Sequence, residues 1–140
     1  MAFRFRLEKI LQIKHKLRDA KKAELGYVES EINRRRDEIA RINERLGDLS
    51  FPSEPVDFAS LSGNFAMISV LREREKRLLE EIEELEKERE RIVEEMVELQ
   101  RDIKVLEKLK QKRWEEFRRE MLRKEIKLLD ELALRGKRDV

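Results

Sequence analysis

Between Leu71 and Leu106 apolar residues recur in alternating steps of three and four: Leu71, Leu78, Ile82, Leu85, Ile92, Met96, Leu99, Ile103 and Leu106. Glu75 and Arg89 occupy the intervening slots and keep the register. Nearly everything else in the stretch is Glu, Lys or Arg, and neither Gly nor Pro interrupts it. A period near 3.5 held over this length is the seam of a coiled-coil helix. So narrow an apolar stripe does not stabilise an isolated helix in water, so it requires a partner helix.

An upstream segment supplies one. A first helix is expected over about 3–49. Its second half carries a seam at Val28, Ile32, Ile39, Ile42, Leu46 and Leu49, with Arg35 in one core slot. Its first half shows Phe3, Leu7, Ile10, Ile13, Leu17 and Ala20, one residue out of phase, with the slip near Ala23–Leu25. Gly26 sits at that slip and weakens a helix by roughly 1 kcal/mol relative to Ala. A local bend and a close helix approach are both compatible with it. Ser50-Phe51-Pro52-Ser53-Glu54-Pro55 ends the helix. Asp57 is the expected N-cap of a second helix over about 58–135, although Gly63 and Asn64 weaken its first turns.

So short a connection makes the two helices antiparallel. The expected fold is therefore all-α: a two-helix antiparallel coiled-coil hairpin, one elongated domain over 1–140 with a thin core. Counting outward from the turn places Leu46 near 62–65 and Leu7 near 100–105. Helix 1 then runs out near 105–110, and the rest of helix 2 overhangs. That overhang carries Trp114, Phe117, Met121, Leu122, Ile126, Leu128, Leu129 and Leu132. Burying large apolar side chains is worth about 1.5–3 kcal/mol each. This face therefore calls for a second copy or another protein, unless helix 1 pairs further along than the count allows.

Composition agrees with this picture. Charged residues make up 47% of the chain and aromatics 6%, a balance typical of long helices and coiled coils. Disorder is the alternative for such charge, but the apolar positions are periodic rather than sparse. With no Cys there is no disulfide framework and no thiolate metal site. No signal-peptide run and no membrane-spanning run is present, which makes a cytoplasmic location the expectation. The net charge of +2 conceals a division: residues 1–25 carry eight basic against three acidic side chains, and 101–140 carry fourteen against nine. The middle is acidic, so the two ends could share an acidic partner surface.

No catalytic constellation is visible. His15 is the only histidine, which excludes His-based triads and multi-histidine metal sites; a solvated helix flank is its expected place. Gly136-Lys137 lacks the glycine a phosphate loop needs at position 131, which is Glu. Carboxylate pairs such as Glu80-Glu81 and Glu83-Glu84 lie on an exposed helix with nothing to shift their titration. The basic runs Arg34-Arg35-Arg36 and Lys108 to Arg113 are interleaved with acids, which disfavours nucleic acid. The overhang could lie on anionic lipid, but its Glu and Asp residues favour a protein partner.

The two ends carry more specific patterns. Phe3-Arg4-Phe5-Arg6-Leu7-Glu8-Lys9-Ile10-Leu11-Gln12-Ile13-Lys14 resembles the N-terminal signature of the flagellar FliJ family, an F-x-F-x-L start running into an apolar helix. Leu129-Asp130-Glu131-Leu132-Ala133-Leu134-Arg135 is similar to that family's C-terminal D-E-x-A-x-x-R signature, with Arg135 one residue closer to Ala133 than that spacing. The resemblance implies a non-catalytic component of the flagellar type III export apparatus, without cofactor or metal, similar in fold to the central stalk of rotary ATPases. Its implied partners are the flagellar export ATPase hexamer, the export gate protein FlhA and export chaperones. Its implied place is the cytoplasmic side of the inner membrane at the flagellar base. Phe3, Phe5, Leu7, Asp130, Glu131, Ala133 and Arg135 carry over as ring-facing candidates. The overhang adds Trp114, Phe117 and Met121. For the gate, the turn-proximal part of helix 2 is the candidate, with Phe58 and Phe65 as anchors. The competing class is a structural coiled coil, a spacer or an oligomer joined through the overhang.

Overall fold

The computed structural model describes residues 2–138 and the side chains of residues 2–137. It is an all-α hairpin of two long helices, α1 (Glu8–Ser50) and α2 (Phe58–Arg138). The chain divides into two compact units: Ala20–Met96, and the described parts of Met1–Asp19 with Val97–Val140.

In the Ala20–Met96 unit the expected seams meet. Val28, Ile32, Ile82 and Ile92 form one buried cluster, with Leu25, Ile39, Leu85 and Met96 packed against it. Ile42, Leu46 and Leu78 form a second, flanked by Ile39, Ile68 and Leu71. Ion pairs fix the antiparallel sense: Glu38 with Arg74, Arg35 with Glu81, Arg36 with Glu86 and Lys21 with Glu95. Arg35 does occupy a seam slot. It is half-buried, and its guanidinium donates to Glu81 Oε2 at 2.9 Å, Glu31 Oε2 at 2.7 Å and the Glu31 carbonyl at 3.1 Å. These bonds raise the Arg35 pKa and, through the Arg35 contact first, lower that of Glu31. A charge can stand in a thin core when its stem packs and its head keeps hydrogen-bond partners.

Asp57 caps α2. Its Oδ1 accepts from the Ser60 amide at 2.8 Å, and this bonding to Ser60 lowers the Asp57 pKa. α2 is helical from Phe58 straight through Gly63 and Asn64. The link 51–57 is exposed throughout. The first α2 side chain packed on the α1 clusters is Ile68, so the helix completes two turns and more before pairing begins. Counting from the turn therefore placed every partner too early, and in each unit α1 pairs further along α2 than the spacing suggested.

The expected phase slip is absent. The seam of α1 continues backwards from Val28 in unbroken steps of three and four through Leu25, Lys21, Arg18, Lys14, Leu11 and Leu7, all at least half-buried. Ile10, Ile13 and Leu17, which the apolar pattern assigned to the core, are 46%, 56% and 46% exposed. Cations hold three consecutive seam positions because their aliphatic stems can pack while their heads reach acids: Lys14 to Asp102 at 3.0 Å, and Lys21 to Glu95. α1 runs uninterrupted through Gly26, and a Cβ there would meet nothing within 4 Å, which excludes a close helix approach.

Candidate partner-binding surface

The unit containing both chain ends is assembled from an arm, the first turns of α1 and the second half of α2. Helix 1 does not begin at Phe3. Residues 2–5 form no helix, and a turn closed by the Glu8 amide donating to the Phe5 carbonyl at 3.1 Å leads into α1. Along the arm Phe3, Phe5 and Leu7 are half-buried while Ala2, Arg4 and Arg6 are exposed. That two-residue alternation over the non-helical residues 2–5 is not a helical period. Leu7 lies in the turn, and its carbonyl accepts the Leu11 amide at 3.0 Å, so it joins the α1 seam while Phe3 and Phe5 belong to the arm.

The arm docks on α2. The Phe3 ring meets Trp114 edge-on at 5.3 Å between centroids and lies 5.5 Å from Phe117; Trp114 and Phe117 stack at 5.9 Å. Trp114 and Phe117 are thus covered by their own chain rather than overhanging, and Trp114 remains 41% exposed. Below them Glu8 Oε2, itself shielded from solvent, lies 2.8 Å from Lys110 Nζ. Leu11 and Ile103 form the buried apolar step between that pair and the Lys14–Asp102 bridge. His15 is half-buried rather than fully solvated, with Nε2 3.5 Å from Glu107 Oε1 on one flank of the seam.

The unaccompanied stretch of α2 begins just beyond Phe117. Met121 is half-buried, and Leu122, Ile126, Leu128, Leu129, Leu132 and Leu134 are 49–64% exposed. Asp130, Glu131, Ala133 and Arg135 are also exposed. The structure therefore separates the ring-facing candidates into two sets: Phe3, Phe5 and Leu7 gathered with Trp114 and Phe117, and the four signature residues further along α2. In the other unit Phe58 and Phe65 are 86% and 64% exposed, so neither packs within the hairpin. Leu61, Met67 and Val70, which the sequence pattern did not single out, are also exposed, at 39%, 45% and 64%.

Among the described residues, no cluster of three or more His, Cys, Asp or Glu could hold a metal ion, and no helix is long and apolar enough to cross a membrane. What the surface offers is apolar and charged contact area. The family model for the flagellar FliJ protein matches residues 3–138, which takes in both terminal patterns and everything between them. The chain belongs to the FliJ family. It is therefore a component of the flagellar export apparatus, in a family whose members are non-catalytic. No curated protein and no solved structure matches it.

Proposed function

We propose that this chain acts as a central-stalk-like cofactor of the flagellar export ATPase, promoting assembly and activity of its ring, while also contacting the export gate FlhA and escorting export chaperones. The observation that carries the reading is the terminal unit. There the arm that carries Phe3 lies on α2, and α2 then continues alone with exposed apolar side chains from Leu122 to Leu134. A ring lumen is a surface on which an unpartnered helix face of this kind can be covered from several sides. Phe3, Phe5, Leu7, Trp114, Phe117 and Met121 form the base of the engaging segment, and Asp130, Glu131, Ala133 and Arg135 belong to its far part. Phe58 and Phe65 are the gate anchors. The site of action is the cytoplasmic face of the inner membrane at the flagellar base.

The test is a truncation after Met121, which spares the arm and its aromatic partners. Stimulation of a cognate flagellar ATPase is expected to disappear while the helical circular dichroism per residue is retained. Undiminished stimulation by the truncated chain would refute the assignment. The same exposed face could instead join two copies of the chain. Sedimentation distinguishes this, since a concentration-dependent dimer lost on truncation would favour a structural coiled coil.

A further inference from the structure

Apolar packing is spread unevenly over the two units. In Ala20–Met96 the buried side chains form two clusters, each flanked by further aliphatic residues. In the other unit Leu11 and Ile103 are the only buried apolar side chains among the described residues. Between Leu11 and Leu25 the α1 seam carries no aliphatic residue, because Lys14, Arg18 and Lys21 hold its slots. That gap is about 21 Å of helix.

The side chains in the gap tie the helices loosely. Arg18 spends its guanidinium on Asp19 of its own helix. Lys14 reaches Asp102 at 3.0 Å, but the two side chains keep 32% and 46% of their surface in water. Pairs this exposed contribute little to stability. On α2 Leu99, which lies between Asp102 and Glu95, is only half-buried. The firmer contacts of this unit sit nearer the chain end: Phe3 on Trp114 and Phe117, Glu8 on Lys110, and Leu11. Along α1, the cation stretch parts them from Leu25 and Val28. Contacts gathered in one short segment and cut off from the next by a weak stretch are made and lost together.

We infer that the hairpin opens in two steps, the arm and α1 up to about Arg18 leaving α2 as one cooperative unit while Ala20–Met96 stays closed. Opening uncovers Leu99, Ile103, Leu106, Trp114 and Phe117, which lead up to Met121 in steps of three and four with Lys110 in the one charged slot. The uncovered stripe of α2 lengthens by about 30 Å. α2 needs no new nucleus to stay helical over that length, since it is continuous with its own paired part. Closure by the arm and the first turns of α1 therefore sets how much of the stripe a partner meets. A partner that covers the longer stripe draws the equilibrium toward the open form.

Hydrogen exchange on the full chain, read by mass spectrometry where exchange reports the opening equilibrium, tests this. An unpaired stretch of helix protects its amides weakly, so both helices of the opening unit report the same event. Residues 8–18 and 97–117 are expected to share one level of protection, at least about tenfold below that of 28–46 and 68–92. On α1 the change of level should be abrupt and fall between Arg18 and Leu25. F3A should lower the shared level throughout both segments, including 97–105, which ends more than about two turns before Trp114. K14L/R18L fills the gap with aliphatic side chains and should raise the shared level at least about tenfold, leaving 28–46 unchanged. Protection that climbs smoothly from Glu8 inward would be ordinary end fraying and would overturn the inference. So would an effect of F3A confined to the ends of the two segments, or a shared level that K14L/R18L does not move. One common level across both units would mean that the hairpin opens all at once, which overturns the inference equally.

Discussion

Phe3→Ala isolates the arm from the rest of the hairpin. Phe3 makes two ring contacts, edge-on to Trp114 at 5.3 Å and tilted to Phe117 at 5.5 Å. Aromatic pairs contribute about 0.5–1.5 kcal/mol each beyond area burial. Fully burying a phenylalanine contributes about 1.5–3 kcal/mol, of which a half-buried ring gains about half. The substitution therefore removes about 2–4 kcal/mol from arm docking, and every 1.4 kcal/mol is roughly tenfold in the equilibrium. Trp114 is the only tryptophan, so its emission reports this contact alone. The variant is expected to shift Trp114 emission to the red and raise its quenching by acrylamide. The far-ultraviolet helix signal should hardly change, because residues 2–5 are not helical. An unchanged emission maximum and quenching constant in F3A would refute the docked arm.

Four further outcomes are expected. Ile92→Ala, at a side chain with no exposed surface, should lower unfolding free energy by about 2–5 kcal/mol in denaturant titration. Gly26→Ala should raise it by about 0.5–1 kcal/mol, since the added Cβ meets no neighbour; a lower stability would indicate an unseen contact. Asp57→Ala should cost about 0.5–2 kcal/mol through the lost cap on the Ser60 amide, read in the same titration. Arg35 bonding lowers the Glu31 pKa and Lys21 bonding lowers that of Glu95, so their contributions are complete above the ordinary glutamate value of 4.5 and are lost as pH falls through the depressed folded values. Melting temperature should drop over that acid range and less so in E95Q. The raised Lys21 pKa acts in the opposite sense, its contribution persisting below 10.5 and fading as pH rises above it.

The Leu71–Leu106 seam was legible because aliphatic residues, and only two charges, occupy its slots. The N-terminal half of α1 was not, because chemistry and position disagree there. The seam slots hold Lys14, Arg18 and Lys21, while Ile10, Ile13 and Leu17 face solvent. Hydrophobicity alone selects the wrong stripe. Carrying the three-and-four spacing back from Val28 would have selected the correct one, since it passes through Leu25, Leu11 and Leu7. The arm was also encoded, in the alternation of Phe3 and Phe5 with Arg4 and Arg6, whereas the expected helix took Phe3 and Leu7 as positions of one helical seam. The register was hidden for a different reason. Nothing in the proline-containing link states how many turns α2 completes before Ile68 meets α1.

Register matters most in the terminal unit, and its charges there do what leucine could not. A purely apolar seam with this spacing repeats every seven residues, so sliding by one heptad costs few contacts and moves the arm by about 10 Å along α2. Glu8 blocks both slips. Its shielded Oε2 has Lys110 Nζ at 2.8 Å. Sliding one heptad toward the turn would set Glu8 against Ile103, and sliding the other way against Phe117. Either leaves a carboxylate without a cation in an apolar setting, a heavier penalty than the ion pair itself is worth. In the second slip Lys14 would also exchange Asp102 for Leu109. The stability of such partly exposed pairs is modest, but their discrimination between registers is not. Only the observed register brings Phe3 onto Trp114 and Phe117, and with it fixes where on α2 the paired part ends and the single helix begins.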